Sequence, residues 1–418
     1  MAATCPFLRP TRALLGAPLL LLLLGMPQST MANPVFARQY GMSCITCHAA
    51  FPRLNSFGRQ FVKDNIRLPN WREQTGVDTG DEQLVLPKFP PLAIRAQAYY
   101  QARQDAAGGG SANSDFQAPY QIKLFSSAPL SDHISYYFYG IMAEKGSNGE
   151  FIVEDAWFSH DDLFGSQVGM MFGQFQVSDL MFPRETRLTY QDFIPYRLAG
   201  ITYERGVTFD RDFGPASLAL GAVNGNGIEA NTRLAGGGLA RPGRSFDNSN
   251  GKNVFGRLGG DFGPLNAGLF ALGGKHTLNG ASRETGKRVV GLDLSGSRDD
   301  SLFWFAQLLW NRWDDALADG GDASWSAGFI GIDYVLNERW TLSGLYNYAD
   351  AGDFAGDAYY SGIDLNGLTG TASYYFMRNI KAVFELNADL LAGDANAFRV
   401  ANGRPREGYA LVGFDAAF

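Results

Sequence analysis

The chain has 418 residues, 45% of them hydrophobic and only 18% charged, with 51 Gly, 31 Phe, 18 Tyr and 7 Trp against 4 His and 3 Cys. Aromatics this frequent, with so little charge and cysteine, exclude a coiled coil, a disulfide-stapled mini-protein and a disordered tail. The net charge of −7 argues against a nucleic-acid partner, which would need a basic face. Length alone predicts two or three domains of about 100–200 residues each, unless one closed sheet takes up most of the chain.

At the N-terminus, Arg9 and Arg12 precede the apolar stretch from Ala13 to Gly25, and Thr30-Met31-Ala32 follows as a small-residue cleavage site. This is the pattern of a secretory signal over residues 1–32, with an apolar core too short for a spanning helix. Its removal takes away Cys5 and two arginines but no acid, leaving a mature chain of net charge −9 with Cys44 and Cys47 as its cysteines.

Those two stand in Cys44-Ile45-Thr46-Cys47-His48, the spacing for covalent attachment of one c-type haem. The thiols add to the two vinyl groups, and His48 is placed to become the proximal iron ligand. A thioredoxin-like redox pair would open a helix in a βαβ context, and a structural zinc site would need four ligands. Neither context is visible, and the next histidine is His133.

Phe51, Leu54, Phe57, Phe61 and Val62 then recur at three- and four-residue steps, which predicts a helix with Pro52 in its first turn. Its apolar stripe packs either on the haem or on the rest of the protein. From Asn70 to Asp81 the pattern gives way to a polar linker ending near Pro87 to Pro91. The haem segment, residues 33–86, is too small to bury much surface by itself. It also lacks a usual second iron ligand, with no Met between Ser43 and Ile141 and no His between Ala49 and Asp132. The iron is therefore five-coordinate or ligated from further along the chain, where His133, Met142, His160, Met170, Met171, Met181, His276 and Met377 are the candidates.

Residues 87–418 read as an all-β unit: about sixteen antiparallel strands of an outer-membrane barrel, each a stretch of roughly ten residues with partial alternation. Ile134 to Glu144, Ala216 to Val223, Leu302 to Trp310 and Trp340 to Tyr348 are among the clearest. Tight links such as Asp299-Asp300, Asn337-Glu338 and Arg378-Asn379 alternate with long polar ones, as periplasmic turns alternate with extracellular loops. The chain ends on Phe418 behind an alternating strand, like the assembly signal of outer-membrane proteins. The competing reading is a soluble all-β domain.

The loop from Gln176 to Leu198 differs from the others in being poor in glycine, and it follows the fifth counted strand. It either packs on itself at the rim or folds inward as a constriction, bringing Arg184, Glu185 and Arg187 near the haem with Met181 as a distal-ligand candidate. The acidic loop group Asp314, Asp315, Asp319 and Asp322 either attracts Fe(II) or is simply solvated. Residues 33–72 carry a balance of +5 and the remainder of the mature chain −14, which favours a basic haem segment docked against or inside an acidic barrel, or a basic flank that neutralises propionates and phospholipid.

Pro34-Val35-Phe36-Ala37-Arg38-Gln39, Gly41-Met42-Ser43, the haem motif and Phe51-Pro52-x-Leu54-Asn55-x-Phe57-Gly58-Arg59-x-Phe61 resemble the fused monohaem cytochrome-porin proteins, which include outer-membrane iron oxidases of iron-oxidising bacteria. The resemblance is specific over residues 33–62 and architectural for the barrel. It implies a haem c plug in a sixteen-stranded porin of the Gram-negative outer membrane, surrounded by its lipid. Cys44 and Cys47 would be the thioether sites and His48 the proximal ligand. It further implies electron transfer from an extracellular donor such as Fe(II) to a periplasmic carrier such as a soluble cytochrome. The alternatives are a diffusion porin with a structural or regulatory haem plug, and a periplasmic shuttle with a soluble β domain.

Overall fold

A computed structural model of the protein describes residues 34–84, 86–104, 113–144, 151–228, 251–277, 284–317, 319–351, 363–377, 379–391 and 408–418. The proposed signal, residues 1–32, lies outside them, as does most of several long loops. Among the described residues, sixteen antiparallel strands close into one barrel. They are β1 Leu92–Arg103, β2 Ser114–Pro129, β3 Ile134–Glu144, β4 Ile152–His160, β5 Gly169–Gln176, β6 Tyr203–Phe213, β7 Ala216–Val223 and β8 Asn253–Phe262. The second half comprises β9 Leu265–Thr277, β10 Glu284–Arg298, β11 Leu302–Asp314, β12 Ala323–Val335, β13 Trp340–Ala351, β14 Leu365–Met377, β15 Ile380–Asp389 and β16 Tyr409–Ala417.

Each strand pairs with its sequence neighbours, and β16 closes on β1 from Tyr409↔Arg103 to Ala417↔Arg95. The terminal Phe418 extends that seam by exchanging both backbone hydrogen bonds with Ile94. Closure removes every sheet edge and satisfies the backbone internally, the condition for crossing lipid with strands. Side chains alternate as a barrel requires. On β10, Lys287, Val289 and Asp293 are buried inward while Val290, Leu292 and Leu294 are exposed outward. Ile330, Ile332, Leu368, Phe384, Val412 and Phe414 continue this apolar exterior, and Trp304, Tyr334 and Trp340 stand on it near the short-turn end. An apolar outer face of this extent belongs against lipid chains, so the soluble all-β alternative is overturned.

Several strands run beyond their predicted ends on the long-loop side: β10, expected from Val289, starts at Glu284, and β11, expected to end at Trp310, reaches Asp314. The added residues, such as Lys287, Arg288 and Arg312, are polar on both faces, so the hydrophobic alternation that marks a strand fades there while the backbone ladder continues.

The loop after β5 folds into the lumen. Val177, Met181, Phe193, Tyr196, Ala199 and Ile201 pack against the inward side chains Phe255, Phe270, Leu272, Val289, Phe305, Leu309, Phe329 and Leu345. This makes one wall of the barrel a dry core. Glu385, fully buried on β15, accepts from the backbone N–H of Tyr190 and Gln191 and from the hydroxyls of Thr371 and Tyr409, which anchors the far side of the loop.

The N-terminal segment docks at the opposite, short-turn end. Its helices are α1 Pro34–Tyr40, α2 Ser56–Lys63 and α3 Trp71–Thr75. The predicted helix is shorter than its apolar stripe: it starts at Ser56 because Asn55 caps it, and Phe51 to Leu54 instead form a turn and a bridge to His48–Ala50. Phe61 is buried against the rings of Phe36 and Tyr40, while Phe57 and Val62 remain exposed. The predicted linker is partly folded, since Trp71 and Thr75 are buried in α3.

The predicted charge complementarity takes a definite form. Arg53, Arg59, Lys63, Arg67 and Arg72 pair with Asp333, Asp300, Asp261, Asp161 and Asp132, all at or near the short-turn rim. Arg38 donates to the carbonyl of Leu92 at the start of β1.

Candidate functional site

Cys44, Ile45 and Thr46 form one tight helical turn that brings Cys47 and His48 round to the same short stretch of chain. Asn55 holds this turn in three ways. Its side-chain oxygen accepts from the N–H of Gly58 at 2.8 Å, its amide donates to the carbonyls of Ile45 and Thr46 at 3.0 and 3.1 Å, and its backbone N–H donates to Cys47. Gly58 faces the Cys47 carbonyl so closely that a Cβ would collide with it. The Asn and Gly of the quoted sequence pattern are thereby explained: one clamps the motif turn onto α2, and the other lets the helix backbone touch it.

The His48 ring lies with Nδ1 3.1 Å from the carbonyl oxygen of Pro52 and its face edge-on to Phe51, centroids 5.2 Å apart. Burial lowers its pKa to about 4, partly offset by the carbonyls of Pro52 and Arg53, so the imidazole is neutral at physiological pH. A neutral ring that donates from Nδ1 presents its lone pair on Nε2, the arrangement that orients a metal-binding histidine. Burial also raises the Cys47 thiol. The donor set therefore fits a c-type haem: two thiols on one turn and an oriented imidazole next to them, with Ile45 between the cysteines exposed.

The barrel wall grips this turn through residues that no local motif marks. Tyr375 and Lys381 both donate to the carbonyl of Phe51, at 3.2 and 3.0 Å. The Arg95 guanidinium lies 5.2 Å from the Phe51 ring centroid and is held by two bonds to Asp415 at 2.9 and 2.7 Å. Arg53 reaches into the lumen. It pairs with buried Asp333, donates to the Thr186 hydroxyl of the inward loop, and stands over the rings of Phe182, Phe303 and Phe305. Loop and plug thus meet inside the lumen. Tyr375, Lys381, Asp333 and Asp415 occupy inward polar positions of their strands; that alternation is their only trace in the sequence.

The distal candidates are scattered. Met181 is 6% exposed within the dry wall, and its sulfur accepts from the Gln307 amide at 3.2 Å. His133 and His160 stack on each other at the short-turn rim, where His133 bonds Asp161 at 2.7 Å. His276 on β9 lies against Trp313 of β11, and Met142 and Met377 are exposed. In the acidic loop group, Asp314 is paired with Arg288 and Arg312, and Asp322 with Arg312. Among the described residues, no cluster of three or more His, Cys, Asp or Glu is arranged to hold a metal ion.

Above the plug, the lumen keeps a cavity of about 1350 Å³ that runs from Asn226 and His276 at the long-loop end down to Arg95. It is lined by charged and amide side chains, including Lys123, Arg184, Glu185, Arg187, Asp192 and Gln174.

In solved structures, this chain is similar to the outer membrane channel DcaP of Acinetobacter baumannii, with 12% identity and a TM-score of 0.54 over 78% of this chain and 96% of that one. It is also similar to an anion-selective porin from Comamonas acidovorans (15%, TM-score 0.52, 78% and 98%) and to OmpF of Salmonella typhi in complex with daunomycin (12%, TM-score 0.53, 78% and 97%). The barrel has the porin fold. With its apolar exterior and closed strands, it lies in the outer membrane. No protein-family model matches the chain, and no curated protein sequence does either.

Proposed function

We propose that the protein carries one covalent haem in the periplasmic mouth of the porin-fold barrel and passes electrons between an extracellular donor, Fe(II) being the first to test, and a periplasmic carrier. The observation that carries this reading is the His48 turn: Cys44, Cys47 and an imidazole oriented by Pro52, held against the barrel by Tyr375, Lys381 and Arg95. When bound, the haem supplies a one-electron iron couple. The chain's own residues do the rest: Cys44 and Cys47 tether, His48 ligates, and the Phe51 ring packs against His48 on the side of the lumen cavity. The apolar band of such a membrane is ~25 Å tall, and electron tunnelling weakens steeply with distance. A haem set into the mouth serves both faces better than one hanging free in the periplasm. The membership in the cytochrome-porin family that the sequence suggests is part of this proposal.

The fold comparisons support the porin part of a second reading more directly, a diffusion porin, proposed here with a haem-bearing plug, and the polar cavity favours it. Two experiments separate them. Under the first reading, Fe(II) added outside intact cells reduces the haem, and an unreduced haem sinks it. Under the second, solute flux into liposomes persists in a Cys44→Ala, Cys47→Ala variant.

A further inference from the structure

We propose that the lumen cavity above the plug is a binding site for a small, multiply charged carboxylate anion. Setting aside Arg95, which Asp415 neutralises, the cavity is lined by five cations, Lys123, Arg184, Arg187, Arg197 and Arg205, against three carboxylates, Glu154, Glu185 and Asp192. The carboxylates are shared. Glu185 stands 3.5–4.0 Å from Lys123, Arg184 and Arg187, and Asp192 serves Arg184, Arg187 and Arg197, of which only Arg197 makes close bonds, at 2.7 and 2.8 Å. Arg205 donates to the Gln174 side chain and has no carboxylate partner among the described residues.

Arg184 is 6% exposed, and the buried Nε–H groups of Arg184 and Arg187 make no hydrogen bond, although Asp192 Oδ1 stands 3.5 Å from the Arg184 Nε and Glu185 Oε1 is also without a hydrogen bond. A buried donor without an acceptor calls for one. Water can accept such a bond but brings no charge to set against the cations of the lining, whereas a carboxylate does both and engages a guanidinium through paired bonds. The arginines come from the inward loop and from β6. The cavity has room for an anion of citrate's size together with water.

This inference goes beyond the proposed electron transfer and does not require it. The test is titration calorimetry on the purified full-length protein in detergent at low salt, with citrate, ferric citrate and glucose as probes. Citrate should bind saturably and glucose should not. Arg187→Gln should weaken citrate by about tenfold, and Arg205→Gln by about threefold, with the heat-modifiable migration of the barrel unchanged. Ferric citrate binding more tightly than citrate identifies the chelate as ligand, and equal binding identifies the free anion. Absence of citrate binding at millimolar concentration, or binding unchanged in both variants, overturns the proposal. Arg205 lies on the strand wall, so its variant keeps the test valid if the loop variant misfolds. Haem content, read from the spectrum, is a separate measurement and reports on the haem reading alone.

Discussion

Arg53 and Asp333, 280 residues apart in the chain, form a buried ion pair at the point where the N-terminal plug enters the barrel. Removing one partner of such a pair leaves an uncompensated charge out of water, at a cost of about 3–5 kcal/mol. Asp333→Asn should therefore release the plug while the barrel stays folded. Limited trypsin digestion followed by mass spectrometry should show new cuts after Arg53 and Arg59; a plug as resistant as wild type would count against this role.

The outer pairs should behave differently. Lys63–Asp261 and Arg72–Asp132 are about half exposed or more on both sides. Exposed pairs of this kind contribute roughly 0–1 kcal/mol, so Lys63→Ala or Arg72→Ala alone should leave the plug protected. Raising the salt to ~1 M, where screening acts within about 3 Å, should weaken docking through all the rim pairs together. The same digestion at low and high salt measures both effects.

Asn55→Ala removes the α2 cap, at about 1 kcal/mol, together with two bonds to the motif turn of about 0.5–1.5 kcal/mol each. It should lower the yield of covalent haem without disturbing barrel assembly. Gly58→Ala should do so more severely, because its methyl group meets the Cys47 carbonyl backbone and cannot turn away. Haem staining of the denatured polypeptide reads both. Full haem loading in Gly58→Ala would show that the close approach is dispensable.

Glu385→Gln turns an acceptor-only group with four donors around it into one that carries an N–H₂ among them. A buried donor left unmatched costs about 1–3 kcal/mol, so the inward loop should loosen on its Tyr190 side. Amide hydrogen exchange at Tyr190 and Gln191 should accelerate, while the Met181 side, packed on the dry wall, keeps its protection. Unchanged exchange at both residues would argue against the clamp.

The barrel was legible because its signals are local: period-two alternation, short turns against long loops, and a terminal aromatic strand each need only neighbouring residues. The spacing of Cys44, Cys47 and His48 is a local signal of the same kind, and the haem it suggests belongs to the proposed function. The helix start at Ser56 was misplaced because Phe51 and Leu54 carry apolar side chains at helical spacing while serving a turn, and the deciding event was capping by Asn55. Whether the loop after β5 turned inward was open in the sequence, since its aromatic residues suit a rim as well as a lumen.

By itself, the sequence determined the closed sheet, the spacing of Cys44, Cys47 and His48, and the opposite charges of the N-terminal segment and the barrel. Only the tertiary structure decided which groups those charges meet, that Met181 is packed against Gln307, and that Tyr375, Lys381 and Arg95 hold the His48 turn. Net charge is a sum that survives any arrangement of the chain. A partner is set by barrel closure and strand register, which bring residues hundreds of positions apart within hydrogen-bond reach.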